Sequence, residues 1–233
     1  MRPLVIVPTY NERDNLPALL NQLLQIDRLR ILIVDDASPD GTGQVADEYA
    51  AANQARVQVL HRSGKRGLGL SYIDGMYVAL RTDSTHVCQM DADLSHNPMD
   101  IPRLLAATAH ADFSIGSRYV PGGRIENWPV RRRMLSAFAN RYIRTITRLT
   151  IQDCTSGFRC WRREALEKLP LASIRSDGYA FIVELAWEAS KAGFTCREVP
   201  ITFVERRQGA SKLSPRVILE SAIVPWRLAA RAD

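Results

Sequence analysis

The chain has 233 residues, 46% of them hydrophobic and 24% charged, so we expect one large domain or one domain with a small appendage. No apolar run approaches the roughly 18 residues that a membrane-spanning helix needs, which predicts a protein that does not cross a membrane by itself. The net charge of +6 indicates an anionic partner, which is nucleic acid, a phospholipid surface or a phosphorylated substrate.

The four cysteines show neither a disulfide pattern nor the spacing of zinc ligands. We therefore expect reduced thiols of a cytoplasmic protein. A strand pattern begins directly after residues 1–3, which leaves no room for a signal peptide.

The first half of the chain alternates apolar strand patterns with amphipathic helix patterns. Strands are predicted at residues 4–7, 31–34, 57–60 and 86–91, and a helix pattern follows each of the first three. The first helix carries leucines at the i, i+3, i+4, i+7 and i+8 positions from Leu16. This order predicts an α/β protein with a doubly wound, mostly parallel sheet flanked by helices.

Polar loops follow three of these strands, at residues 8–12, 35–40 and 91–93. Ligands of such sheets bind outside the carboxyl ends of the strands, so we expect the three loops to line one crevice. A glycine-rich turn at Gly64, Gly67 and Gly69 is either a tight or mobile loop or a phosphate fingerprint. The fingerprint fits poorly, because it belongs after the first strand of a dinucleotide-binding fold.

Asp91 and Asp93 stand one residue apart at the end of the fourth strand. On a regular strand they would point to opposite faces, and they converge only if the chain turns there. Residues 95–98 (SHNP) favour such a turn. Carboxylate pairs suit Mg²⁺ or Mn²⁺ that is shared with ligand phosphates, whereas the alternative is a solvated turn that caps the next helix.

Arginine dominates the middle of the chain. Between Arg118 and Arg148, eight arginines are opposed by a single acid, Glu126. Apolar positions share one helical face from Leu135 to Leu149, and basic positions share another. This pattern predicts an amphipathic interfacial helix near residues 130–149, with a second near 215–231.

The basic segment has two alternatives to an interfacial helix, of which the first remains open. The segment near 130–149 is otherwise a core-facing amphipathic helix with a solvated basic face. Nucleic-acid binding would favour more aromatic residues among the basic ones than Trp128 and Tyr142, so we expect no nucleic-acid partner.

Seven short segments resemble a known family. Residues 7–12 (VPTYNE), 34–42 (VDDASPDGT) and 90–96 (MDADLSH) resemble the signatures of family 2 glycosyltransferases with the GT-A fold. Residues 116–119 (GSRY), 153–159 (DCTSGFR), 198–201 (EVPI) and 206–212 (RRQGASK) are similar to segments of dolichol-phosphate mannose synthases. The resemblance covers nearly the whole chain in the correct order.

The resemblance implies a single GT-A catalytic domain over residues 1–233. About 1–115 would form the nucleotide-sugar half and about 116–233 the acceptor half. The implied reaction is an inverting transfer of mannose from GDP-mannose to the phosphate of a polyprenol of the dolichyl or undecaprenyl type. The implied location is the cytoplasmic membrane surface, where the protein would be peripheral, of the type without transmembrane helices, with a possible membrane-anchoring partner.

The resemblance also implies site residues. Those for the donor are Pro8, Tyr10, Glu12, Val34, Asp35, Asp36, Asp91, Ala92, Asp93, Arg206 and Lys212. Those for the acceptor phosphate are Arg118, Arg132 and Ser136. The implied metal, Mg²⁺ or Mn²⁺, would bind at Asp91, Asp93 and Ser95, and the catalytic residues would be Asp91, Asp93 and Arg118. Many relatives carry Gln in place of Ser95, and the shorter side chain leaves room for a water.

Two other functions remain open at this stage. One is a synthase of polyprenyl-phosphate glucose or another hexose that uses a UDP-sugar. The other is a non-catalytic protein of the same fold that binds a nucleotide or a phospholipid.

Overall fold

A computed structural model of the protein describes residues 1–64, 67–205 and 215–231, and the side chains of the last range from residue 222. Its helices are α1 Leu16–Leu23, α2 Thr42–Ala52, α3 Leu68–Leu80, α4 Ile101–Ala107, α5 Val130–Thr147, α6 Arg163–Lys168, α7 Gly178–Lys191 and α8 Pro215–Ala229. Its strands are β1 Pro3–Thr9, β2 Arg30–Asp35, β3 Val57–His61, β4 His86–Gln89, β5 Phe113–Ser117, β6 Arg124–Glu126, β7 Arg159–Arg162, β8 Cys196–Pro200 and β9 Thr202–Val204. Short 3₁₀ helices lie at Pro98–Asp100, Thr108–His110 and Leu171–Ser173.

Within the described residues, seven strands form one sheet in the order β3-β2-β1-β4-β7-β5-β8. Strand β7 runs antiparallel to its neighbours β4 and β5, and the other pairs are parallel. The mostly parallel sheet flanked by helices is therefore confirmed. The antiparallel strand follows from the connection, because residues 118–158 leave β5 and enter β7 at the same edge of the sheet.

Apolar side chains cover both faces of the sheet. In β1, Leu4 and Ile6 join a cluster with α3 and α7, whereas Val5 and Val7 join a cluster with α1 and α4. All seven residues of β1 are buried. Burial on both faces explains the uninterrupted apolar run in the sequence, and it leaves the carboxyl edge of the sheet for polar groups.

The sequence of residues 195–204 resembles an edge strand, because Pro200 argues against a central position. In the structure this segment divides at Ile201. Its first part, β8, is the edge strand of the large sheet, as expected, and its second part, β9, pairs with β6 in a separate ribbon. The Ile201 N–H donates to Ser117 O at 3.1 Å, and Ile201 O accepts from Arg124 N at 2.9 Å. Ile201 thus carries the chain from one sheet to the other.

The glycine-rich turn packs against the start of α7. Gly67 has φ +97°, and a Cβ there would lie 2.1 Å from Asp177 Oδ2. The Gly69 N–H donates to Asp177 Oδ1 at 2.8 Å. The glycines at 67 and 69 therefore permit a close approach of α3 to α7.

None of the described helices is long and apolar enough to cross a membrane. The predicted helix near residues 130–149 is α5, and the one near 215–231 is α8, which contains Pro225.

Candidate active site

The loops after β1 and β2 are held together by hydrogen bonds at the carboxyl edge of the sheet. The Thr9 hydroxyl donates to Asp35 Oδ1 at 3.0 Å, and the Asp36 N–H donates to Thr9 O at 3.0 Å. The Glu12 N–H donates to Thr42 Oγ1 at 2.9 Å. The two loops therefore form one wall, as the convergence of strand ends predicted.

The two aspartates of this wall are buried and held by different partners. Asp35 accepts from the Ser38 N–H at 3.0 Å and from the Ser38 hydroxyl. Asp36 accepts from the Arg62 guanidinium and, at 2.9 Å, from the Ser71 hydroxyl. Pro8 and Val34 are buried at the ends of their strands, whereas Tyr10 and Glu12 are half-buried. These six residues were predicted to bind the nucleotide-sugar donor. The structure brings all six, in fixed positions, to the carboxyl edge of the sheet.

Asp91 and Asp93 lie just beyond the end of β4, where the chain turns. Leu94 has φ +59°, and the Ser95 N–H donates to Asp93 Oδ1 at 3.1 Å. The Tyr72 hydroxyl donates to Asp91 Oδ1 at 2.9 Å. Burial and the charge of Asp91 raise the pKa of Tyr72 well above its ordinary value, which keeps the hydroxyl a donor. Because the chain turns here, both carboxylates line one cavity of about 470 Å³, which we call the active-site cavity.

The neighbouring residues of this turn are buried. Ala92 packs into the core, and Ser95 lines the same cavity. His96 lies between Phe158 and Phe203, with ring centroids 5.0 and 5.2 Å apart. Burial lowers the pKa of His96, so the imidazole is neutral at pH 7 and serves as a packing group.

Arg118 lines the same cavity and is held from behind by Asp153. Its Nε and Nη2 donate to the two carboxylate oxygens at 2.8 and 2.7 Å, and Nη2 also donates to Thr155 Oγ1 at 2.8 Å. Burial alone would lower the pKa of Arg118, but the charge of Asp153 raises it above its ordinary value. The guanidinium is therefore charged and fixed in orientation.

Arg132 and Ser136 line the cavity from α5, one helical turn apart. The Arg132 guanidinium forms an ion pair with Glu205 and lies 4.1 Å from the centroid of the Trp128 ring. Thr155 connects this helix to Arg118, because it also accepts from Asn140 Nδ2 at 3.2 Å. The structure therefore places all three predicted acceptor residues in the cavity that contains the carboxylate pair.

The other end of the cavity is apolar and is formed by α5 and α8. The two helices are joined at Tyr142, which donates to Ala222 O at 2.8 Å and accepts from Trp226 Nε1 at 2.8 Å. Large apolar side chains at this end are exposed, including Leu135 and Phe138 at 61% and 65%. Others exposed on these two helices are Val130, Met134, Ile223 and Trp226. The cavity thus passes from acidic to basic to apolar, and it ends at an exposed apolar surface.

Several residues in or behind the cavity were not predicted as site residues. Tyr72 and Glu205 had no local signal, because their partners Asp91 and Arg132 lie 19 and 73 positions away. Trp128 contacts Arg132 four positions further along, but a lone aromatic residue does not indicate such a contact. Asp153 and Thr155 lie in the segment 153–159 that resembles the family, which is the one signal that pointed to them. The predicted Arg206 and Lys212 lie outside the described residues.

The carboxylate pair fits a hard divalent cation. In the part of the chain that the structure describes, no group of three or more His, Cys, Asp or Glu side chains forms a metal site. Two carboxylates in one cavity match an ion that takes its remaining oxygens from ligand phosphates and water. Ser95 adds a hydroxyl to the same cavity.

Solved structures with the same fold are glycosyltransferases. The mannosyltransferase PcManGT from Pyrobaculum calidifontis, in complex with GDP-Man and Mn²⁺, matches 99% of this chain and 73% of its own with a TM-score of 0.59 and 17% identity. Glucosyl-3-phosphoglycerate synthase from Mycobacterium tuberculosis, in complex with Mn²⁺ and UDP, matches 98% and 79% with a TM-score of 0.62 and 18% identity. These matches confirm the GT-A fold.

Curated relatives are much closer in sequence. The polyprenol monophosphomannose synthase of Mycolicibacterium smegmatis is 48% identical over 100% of this chain and 89% of its own. The undecaprenyl-phosphate mannosyltransferase of Micrococcus luteus is 45% identical over 99% of this chain and 96% of its own. The model of the family described as "Glycosyl transferase family 2" matches residues 4–170. The chain therefore belongs to glycosyl transferase family 2.

Proposed function

We propose that the protein transfers mannose from GDP-mannose to the phosphate of a polyprenol of the dolichyl or undecaprenyl type, with inversion at the sugar carbon. The observation that carries this proposal is the change of polarity along the cavity that contains Asp91 and Asp93. It joins a carboxylate pair, two arginines and an exposed apolar end, which are the groups needed for a metal-bound diphosphate, an acceptor phosphate and an isoprenoid chain. The names of the two relatives, a polyprenol monophosphomannose synthase and an undecaprenyl-phosphate mannosyltransferase, support the same substrate class.

The donor would occupy the first half of the chain, about residues 1–115. Pro8, Tyr10, Glu12, Val34, Asp35 and Asp36 form the wall for base and ribose, and Asp91, Ala92 and Asp93 would adjoin the diphosphate and sugar. Mg²⁺ or Mn²⁺ held by Asp91 and Asp93, with Ser95 nearby, would neutralise charge that develops on the leaving diphosphate. The Mn²⁺ complexes of the fold neighbours support a divalent ion. By family resemblance, Arg206 and Lys212, which lie outside the described residues, would bind the donor phosphates.

The acceptor phosphate would lie between Arg118, Arg132 and Ser136 in the second half, about residues 116–233. Guanidinium groups bind phosphate oxygens bidentately and stay charged. One phosphate oxygen forms the new bond to the sugar C1 while the bond from C1 to the GDP oxygen breaks, and GDP leaves. A phosphate monoester with a second pKa near 6 is already ionised at neutral pH, so the step needs no general base.

The Arg132–Glu205 ion pair would have to separate before an acceptor phosphate binds Arg132. Glu205 neutralises Arg132, and the side chains of Glu205 and Arg132 are 35% and 28% exposed, so the pair is accessible. An acceptor phosphate would compete with the carboxylate for the same guanidinium. Glu205 would thus move aside when the acceptor binds, while Trp128 keeps the arginine in place.

The apolar end of the cavity would attach the protein to the membrane that holds the acceptor. The side chains of Leu135, Phe138 and Trp226 are more than half exposed. Arginines flank these side chains along α5, which is the arrangement of a helix that lies in a membrane interface. The isoprenoid chain would then enter the cavity without leaving an apolar environment.

A panel of nucleotide sugars tests this proposal. Purified protein with polyprenyl phosphate and Mg²⁺ or Mn²⁺ would receive labelled GDP-mannose, UDP-glucose or UDP-N-acetylglucosamine, and label in the organic phase would be counted. We expect organic-soluble label from GDP-mannose alone. Preference for a UDP-sugar would support a different hexose synthase, and absence of product from all three donors would support a non-catalytic binder.

A further inference from the structure

A second cavity, of about 600 Å³, lies on the flank of α5 and is named here the basic pocket. The residues that define it are Asn140, Arg141, Arg144, Thr145, Arg148 and Gln152. The active-site cavity uses other positions of the same helix, including Arg132, Ser136 and Ile143. The basic pocket is thus separate from the active-site cavity, although both share one helix.

The positive charge of the basic pocket has no carboxylate counterpart in the described part of the chain. Arg141, Arg144 and Arg148 have no Asp or Glu oxygen within 4.0 Å among those residues, and Arg144 donates only to the neutral Gln152 side chain. Three guanidinium groups around one cavity repel one another unless an anion lies between them.

Two carboxylates lie next to Gln152, one in sequence and one by hydrogen bonding, and both have other partners. Asp153 is held by the Arg118 side chain and by its backbone N–H at 2.9 Å. Glu198 accepts from the backbone N–H groups of Gln152 and Asp153 at 2.7 and 2.9 Å. Neither carboxylate lies within 4.0 Å of these arginines, so no carboxylate of the described residues neutralises them.

Two buried polar atoms of the basic pocket also lack a partner in the described structure. They are Arg144 Nε and Asn140 Oδ1. Asn140 is only 3% exposed. Buried donors and acceptors without partners are rare in native proteins, and they mark places where a ligand or ordered water binds. A phosphate group offers acceptor oxygens for Arg144, and a headgroup hydroxyl offers a donor for Asn140.

The basic pocket also lies beside the exposed apolar surface of α5. Phe138 precedes Arg141 by three positions, so the two side chains are neighbours on the helix, and both are exposed. A phospholipid whose acyl chains lie with Phe138 would bring its phosphate to Arg141. We propose that the basic pocket binds the phosphate of an anionic phospholipid headgroup and so fixes the angle of α5 at the membrane. This proposal rests on the membrane attachment proposed above, and it is independent of the sugar-transfer reaction.

Vesicle binding without donor or acceptor tests the proposal. Co-sedimentation with phosphatidylcholine vesicles that contain phosphatidylglycerol would compare wild type, Arg141→Gln/Arg144→Gln and the matched control Arg131→Gln/Arg133→Gln. The control removes the same charge from exposed positions of α5 outside the basic pocket. Both variants lose the general attraction of two charges, and we expect the pocket variant to bind on the order of tenfold more weakly than the control. Equal loss of vesicle binding in both variants would show that binding depends only on the net positive charge of α5, and it would overturn the proposal.

A second variant guards against a folding defect. Thr145→Glu keeps every arginine and places a carboxylate at an exposed helix position three and four residues from Arg148 and Arg141, where it forms favourable pairs. We expect it to weaken binding as the double pocket variant does, with an unchanged unfolding temperature, and wild-type binding would overturn the proposal. Calorimetry with glycerol 3-phosphate and no vesicles separates the two sources of phosphate. No binding at millimolar concentration supports the lipid headgroup, whereas binding that Arg141→Gln/Arg144→Gln removes would assign the pocket to a soluble phosphate ester and overturn the proposal.

Discussion

Replacing Asp153 by Asn tests how Arg118 is held in the active-site cavity. The Asp153 side chain is fully buried and that of Arg118 is 7% exposed, so the pair is shielded from water. The amide keeps one acceptor oxygen but turns an N–H donor toward the guanidinium. The change therefore leaves a buried positive charge without its counterion, which typically costs about 3–5 kcal/mol of unfolding free energy.

The assay is urea unfolding at pH 7 together with kinetics. We expect Asp153→Asn to lower the unfolding free energy by about 3–5 kcal/mol and to raise the KM for polyprenyl phosphate, with donor binding nearly unchanged. Glu167→Gln is the matched control, because it removes the same charge from the surface pair with Arg163. That pair contributes about 0.3–0.5 kcal/mol.

The unfolding free energy should depend on pH through the ionisation of Asp153. The Arg118 charge and hydrogen bonds lower the pKa of Asp153, against the effect of burial, which alone would raise it. A depressed pKa contributes stability above the unfolded value of about 3.9, and that stability is lost as the pH falls through the folded pKa. The difference between wild type and Asp153→Asn should hold from pH 7 to about 5 and narrow below about 4. A variant as stable as Glu167→Gln at pH 7 would refute the reasoning.

Five further substitutions, in three sets, test the proposed site. Asp93→Asn should lower kcat about 100-fold or more, because Asp93 would hold the ion that stabilises the charge on the leaving diphosphate. Ser95→Ala should change kcat by no more than about threefold. Normal turnover of Asp93→Asn in saturating Mg²⁺ would exclude Asp93 from the site. In calorimetry, Arg132→Ala should weaken binding of polyprenyl phosphate but not of GDP-mannose, and Lys212→Ala should do the reverse, so equal losses of both ligands in each variant would contradict separate sites. Glu205→Gln should lower the KM for polyprenyl phosphate, since the competing carboxylate is gone, and an increased KM would instead make Glu205 a support for Arg132.

The sequence predicted the sheet and the carboxyl-edge loops because both arise from local patterns. The apolar run of β1 and the leucine spacing of α1 depend only on near neighbours. The turn after Asp91 follows from the residues next to it. The antiparallel direction of β7 depends instead on where residues 118–158 re-enter the sheet, which no local pattern specifies.

The sequence did not predict the partners of the site residues, because these partners are also far apart in the chain. Arg118 meets Asp153 across 35 positions, and Arg132 meets Glu205 across 73. A carboxylate gives no sign in the sequence of which arginine it will face. The division of the predicted strand at Ile201 likewise depends on pairing with two distant strands.

Mass spectrometry of the lipid product tests the central claim most directly. The protein would be incubated with GDP-mannose, a divalent cation and polyprenyl phosphate of a single chain length, and the lipid extract would be measured with and without enzyme. We expect a new lipid heavier than the acceptor by one hexose, formed together with GDP and only when the acceptor is present. An unchanged acceptor mass, or release of GDP with free mannose as the only products, would contradict it.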